Sequence, residues 1–240
     1  MKSCIFIAGT GTDVGKTVVT AGLLRLLRGR GIDAVSMKPV QTGAEWIDGS
    51  LMAPDLIVHW TAAGFLPDPV ERALMGPYLY EPACSPHLAG RMAGSYPEIG
   101  RIVSCARALL DSHEALLIEG AGGLMAPLDE TRTMIDLMKA LDCPALIVAH
   151  RGLGTINHTL LSLAALRAAE IEVAGVVLNE TRDEPRDFIR ADNPNAIAKF
   201  GAVRILGDVD YFREFDDAAW DRFAACMPGL DELAQGLRNS

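Results

Sequence analysis

Runs of largely apolar residues recur along this chain, at 4–8, 34–37, 115–118, 145–149, 173–178 and 203–206. A strand with no wet face belongs in a parallel sheet covered on both sides by helices. Helical patterning fills the intervals 16–28, 99–110, 133–141 and 155–169; in the first, Val18, Leu23, Leu24 and Leu27 recur near helical spacing. This alternation predicts the α/β class, a doubly wound, mostly parallel sheet with helices on both faces. The 240 residues, 50% of them hydrophobic, can bury one sizeable core. No Pro/Gly/Ser-rich linker or charge block divides them, so residues 1–240 read as a single domain. Residues 49–80 read as loops with one short helix at 54–63. Residues 180–195, charged and holding two prolines, read as a surface loop, and 230–237 as a final helix.

The first apolar run leads into Gly9-Thr10-Gly11-Thr12-Asp13-Val14-Gly15-Lys16-Thr17 and then an amphipathic helix. Strand, glycine-rich turn, Gly-Lys-Thr and helix in that order are the context of a phosphate-binding P-loop. The glycines let backbone N–H groups face phosphates with no Cβ in the way. The helix start adds the positive end of its dipole. In such a loop Lys16 reaches the β- and γ-phosphates and the Thr17 hydroxyl ligates Mg²⁺. The expected ligand is Mg-ATP, held by Gly11, Asp13, Val14, Gly15, Lys16, Thr17 and Val18. The usual spacing, G-x-x-x-x-G-K-[ST], would place a glycine at position 10; this chain has Thr10, flanked by Gly9 and Gly11. The bland alternative is a glycine-rich turn that binds nothing.

Other polar residues stand where strands end and ligands collect. Lys38, in Lys38-Pro39-Val40-Gln41-Thr42-Gly43, follows the second run. A second lysine in the crevice would favour an anion beside the γ-phosphate, although a solvated strand-end lysine accounts for it equally. Asp55 reads first as a helix cap. Glu119 closes the third run, where nucleotide hydrolases place a Mg²⁺-linked carboxylate, and Gly120-Ala121-Gly122-Gly123 follow it. Asn179 closes the fifth; its amide suits either the edge of adenine or a turn. His87, His150 and His158 lack metal-ligand spacing.

A net charge of −9 and a pI near 5.0, without a Lys/Arg cluster, argue against nucleic acid or an anionic membrane as partner. No apolar stretch approaches the ~20 residues of a membrane span. The chain enters its first strand and phosphate loop at once, so the expectation is a cytoplasmic protein with no removable signal peptide. Five cysteines, an odd number with no C-x-x-C pair, predict buried apolar residues rather than a disulfide framework or a zinc site.

Taken together, these segments resemble the dethiobiotin synthetase family. The resemblance is carried by the glycine loop, Lys38-Pro39-Val40 with Thr42-Gly43, Asp55-Leu56, Glu81-Pro82 with Ser85-Pro86-His87, Glu119 to Gly123 with Pro127-Leu128, Gly154-Thr155-Ile156-Asn157-His158, and Asn179. It implies a homodimeric α/β enzyme that closes a cyclic urea from 7,8-diaminononanoate (diaminopelargonate), CO₂ and ATP, through a carbamate and a carbamic–phosphoric anhydride. It further implies Mg²⁺ on Thr17, Asp55 and Glu119, and catalysis by Lys16, Lys38, Thr42 and Thr12. The substrate would meet Thr12, Lys38, Thr42, Gly122, Gly123 and Asn157 of the dimer partner, and Asn179 would read adenine. The chain departs from the family at Gly11, where Asp is common, at Thr42, where Ser is common, and at Gly207-Asp208-Val209-Asp210, where Gly-x-Ile-Pro is common. A nucleotide-dependent switch ATPase of the same lineage, or a ligase for another acid, are the competing readings.

Overall fold

The computed structural model describes residues 3–185 and 187–238. Its strands are β1 (Cys4–Gly9), β2 (Ala34–Met37), β3 (Val40–Thr42), β4 (Glu45–Ile47), β5 (Ser50–Met52), β6 (Tyr78–Tyr80), β7 (Ala115–Gly123), β8 (Ala145–His150), β9 (Val173–Asn179) and β10 (Ile205–Val209). Its helices are α1 (Lys16–Gly29), α2 (Pro54–Ala63), α3 (Pro69–Met75), α4 (Pro86–Ala93), α5 (Ile99–Ser112), α6 (Met134–Leu141), α7 (Thr155–Ala168), α8 (Phe188–Gly201), α9 (Asp217–Ala225) and α10 (Leu230–Arg238). The main sheet has the order β10-β9-β8-β1-β7-β2 and is parallel at every pairing.

Alternating side chains explain the two helical layers. In β1, Phe6 and Ala8 enter one core with Leu109 of α5, Leu137 of α6 and Leu163 of α7. Ile5 and Ile7 enter the other with Leu23 and Leu24 of α1, Phe223 of α9 and Leu233 of α10. A continuous apolar run is therefore what a strand between two layers requires. From β1 the chain crosses past the place β7 will fill to form β2, and it later returns to β8 on the other side of β1. The loop after β1 thus opens at the switch point of the sheet, where ligands bind in folds of this kind.

The structure departs from the sequence reading in several places. Residues 180–195 are not all loop, because α8 starts at Phe188 and carries Pro194 within it. Asp187 caps that helix by accepting from the Arg190 N–H at 2.8 Å, and Asn193 Nδ2 donates to the Arg151 carbonyl at 2.6 Å. Tertiary support thus outweighs the proline that argued against a helix. Residues 49–80 hold α3 and two short strands besides α2. The last strand lies two residues later than its apolar run suggested, at Ile205–Val209. Cys4 and Cys143 form a disulfide, contrary to the expectation of free thiols. The β1–β8 register, which sets Phe6 beside Ala145, brings these distant cysteines together. No helix among the described residues is long and apolar enough to cross a membrane.

Candidate active site

The phosphate loop owes its shape to a few backbone positions. Asp13 and Gly15 take left-handed φ values of +57° and +89°, turning successive N–H groups inward as an anion-binding nest requires. A Cβ at Gly9 would fall 2.7 Å from the Gly11 carbonyl and 2.8 Å from Lys16 Nζ. The close approach therefore lies at position 9, which explains why Thr10 is tolerated where the usual spacing has glycine. A Cβ at Gly11 would meet nothing within 4 Å. Lys16 Nζ donates to the Gly11 carbonyl at 2.9 Å. Asn179, at the end of β9, buttresses the loop from below: its Nδ2 donates to the Val14 carbonyl at 3.1 Å.

Beside the loop lies a group of charges, Lys38 and Glu119 buried and Asp55 partly exposed. Lys38 Nζ is 2.7 Å from Glu119 Oε1 and 2.7 Å from Asp55 Oδ2. It also donates to the Gly120 carbonyl at 3.2 Å. The Thr17 hydroxyl donates to the same Glu119 oxygen at 3.0 Å. Asp55 is not the cap its sequence position suggested: Ala53 is the N-cap of α2, and the Asp55 carboxylate turns to Lys38 instead. A buried ammonium is a stronger partner than exposed helix N–H groups.

Burial alone would raise the Glu119 carboxyl, but Lys38 and the hydrogen bond from His59 outweigh it and hold Glu119 well below the usual carboxylate range. Burial would likewise lower Lys38, and Glu119 with Asp55 raise it instead. Lys16 has less compensation: burial, then repulsion from Lys38, push it down to about 8. Lys38 is thus offset by two carboxylates, while Lys16 feels Glu119, Asp55 and Asp13 less strongly than it feels burial and Lys38, and a phosphate beside it would favour its charged form. Thr17, Asp55 and Glu119 present hard oxygen donors of the type Mg²⁺ takes, and the Lys38 ammonium between the two carboxylates shows that this spot suits a cation.

These residues line a cleft of about 1040 Å³, enough for a nucleotide and a second reactant. Of the residues expected from sequence, Thr12, Asp13, Gly15, Lys16, Thr17, Lys38, Thr42, Asp55, Glu119, Gly122 and Gly123 face it. Gly11, Val14, Val18 and Asn179 do not line it; Gly11, Val14 and Asn179 act on the loop through the contacts above. Asn157 is exposed in the first turn of α7, outside the cleft of its own chain. Sequence reasoning missed His59, whose Nε2 lies 2.9 Å from Glu119 Oε2. Its spacing from Asp55, one helical turn along α2, was the available signal.

Fold and site define a P-loop nucleotide-binding α/β protein. A family model described as an AAA domain matches residues 3–219. The ATP-dependent dethiobiotin synthetase BioD of Anoxybacillus flavithermus is 36% identical over 211 residues, covering 88% of this chain and 92% of that one. Its namesake from an Anaeromyxobacter species is 41% identical over 195 residues, covering 81% and 84%. Among solved structures, the septum site-determining protein MinD of Pyrococcus horikoshii, complexed with Mg-ADP, superposes with a TM-score of 0.60 at 17% identity, over 99% of this chain and 95% of that one; this likeness is one of fold. The chain belongs to the ATP-dependent dethiobiotin synthetase family.

Proposed function

We propose that this chain converts 7,8-diaminononanoate, CO₂ and ATP into dethiobiotin, ADP and phosphate. CO₂ adds to one amine as a carbamate, and the carbamate oxygen attacks the γ-phosphorus, releasing ADP. The second amine then attacks the carbonyl carbon of the mixed anhydride, and phosphate leaves as the cyclic urea closes. The observation that carries this reading is the pair of lysines in one cleft, Lys38 held by two carboxylates and Lys16 on the phosphate loop. Two anions must meet here, and simple nucleotide binding does not call for a second buried lysine.

Lys16 bridges the γ-phosphate and the carbamate. Lys38 and Thr42 bind the carbamate and its phosphorylated form, and Thr12 lies on the amine end of the substrate. Held together in one cleft, the three reactants gain most from orientation. Thr17, Asp55 and Glu119 hold Mg²⁺, which when bound draws charge from the transferring phosphoryl group. Gly122 and Gly123 receive the substrate carboxylate together with Asn157 of the partner subunit. Leu153, exposed at 85% four residues before Asn157, supports a homodimer through the start of α7. Asn179 serves the nucleotide through the loop and adenine with its remaining amide capacity.

The test is mass spectrometry of a mixture of protein, diaminononanoate, bicarbonate and Mg-ATP. A cyclic urea with one ADP per product is expected, and well-folded protein that forms none would defeat the reading. ATPase activity raised by a protein or lipid, and not by diaminononanoate, would point to a switch ATPase instead.

A further inference from the structure

We infer that His59 is a positioning residue for the metal-binding carboxylate: by holding Glu119 Oε2 it leaves Oε1 alone to serve the cleft. The inference rests on Glu119 as a Mg²⁺ ligand, as proposed above. His59, Ser36 and Glu119 are all withdrawn from solvent, at 0%, 0% and 1% exposure. They form a line across three elements. Ser36 Oγ of β2 is 3.1 Å from His59 Nδ1, and His59 Nε2 of α2 is 2.9 Å from Glu119 Oε2 of β7. On the far side of the carboxylate, Oε1 takes both Thr17 Oγ1 and Lys38 Nζ.

The hydrogens follow from what each group can offer. Glu119, held ionised, has only lone pairs, so Nε2 carries the hydrogen and donates. Ser36 Oγ, 3.1 Å from Nδ1, holds the opposite edge of the ring and so fixes the direction in which Nε2 points. A buried carboxylate with one oxygen unpaired would turn to share its remaining donors between both oxygens. The His59 ring removes that freedom, so that Oε1 stays aligned with the Thr17 hydroxyl. Asp55 and His59 are one turn apart on α2, so a single helix face delivers a cleft carboxylate and the ring behind its neighbour. A histidine fixed by a further partner and acting on a metal site's geometry from behind is a recurrent device.

Mn²⁺ bound with a non-hydrolysable ATP analogue, followed by electron paramagnetic resonance, reads the metal site without turnover; thermal melting reads folding. His59→Leu should weaken Mn²⁺ binding about 10–100-fold. His59→Gln, whose amide N–H can reach the place of Nε2, should recover most of that loss. Ser36→Ala should weaken binding less, and should add nothing in the His59→Leu background, because it acts through the ring. Unchanged Mn²⁺ affinity in folded His59→Leu, no recovery with Gln, or an equal Ser36→Ala effect in both backgrounds would overturn the inference. Should His59→Leu fail to fold, Ser36→Ala and His59→Gln decide it: Ser36→Ala with full affinity overturns it. Glu119→Gln separates the two readings. Mn²⁺ binding lost in Glu119→Gln yet kept in His59→Leu overturns the role of His59 alone, whereas no Mn²⁺ binding by the unaltered protein overturns the metal reading and this inference with it.

Discussion

Lys38 Nζ lies 2.7 Å from Glu119 Oε1, and neither side chain is more than 5% exposed. Removing one partner of such a pair leaves the other charged and buried, at a cost on the order of 3–5 kcal/mol. Lys38→Ala should therefore lower the melting temperature and abolish cyclic urea formation, with nucleotide binding in the folded protein largely kept. Adding Glu119→Gln should restore part of the lost stability, as a double-mutant cycle by denaturant titration would record. Equal loss of product and nucleotide binding in Lys38→Ala would reassign Lys38 to the nucleotide.

Lys16, pushed down to about 8, makes nucleotide binding depend on pH. In the unfolded chain a lysine titrates near ~10.4, so the folded form binds fewer protons between these values. The stability penalty is full below pH 8 and relieved as pH rises toward ~10.4. Phosphates reverse the shift by favouring the charged amine. Binding of ATP at pH 8–9 should then take up a proton, and affinity should fall as pH rises through that range. Calorimetry in two buffers of different ionisation enthalpy checks this, and Lys16→Met should show no uptake linked to this group.

Two glycines of one loop should answer differently to alanine. At Gly15, φ is +89° and a Cβ would fall 2.0 Å from Asn179 Nδ2, so Gly15→Ala should destabilise by more than ~1 kcal/mol and weaken nucleotide binding sharply. At Gly11 a Cβ has open space, and Gly11→Ala should stay within about 0.5 kcal/mol of the parent. Melting curves and nucleotide titrations of the two variants make the comparison.

Asn157→Ala should raise the KM for diaminononanoate about 10–100-fold with kcat and nucleotide affinity nearly kept, the loss of one hydrogen bond to a charged group. Steady-state kinetics measure it. An unchanged KM would remove Asn157 from the substrate site.

Much of the fold was legible because strand and helix signals are local. The segments at 34–37 and 54–63 coincide with β2 and α2, and Lys38 and Asn179 stand at strand ends as their positions implied, whereas Glu119 lies inside β7, which runs on to Gly123 past the end of its apolar run. Asp55 was misread as a cap because its true partner, Lys38, is distant in sequence. For the same reason residues 188–195 were misread as loop: the Asn193 contact to Arg151 that steadies α8 is non-local.

The sequence by itself determined a parallel sheet between helical layers, a phosphate loop at its centre and the family these belong to, since hydrophobic periodicity and a contiguous motif need no third dimension. The tertiary structure alone decided which charges meet. Only the register of β1 against β8 joins Cys4 to Cys143, and only the packing of α2 beside β2 and β7 places His59 behind Glu119 and Asp55 against Lys38. The physical reason is that buried polar groups must find partners, and the partners available are set by how distant elements pack.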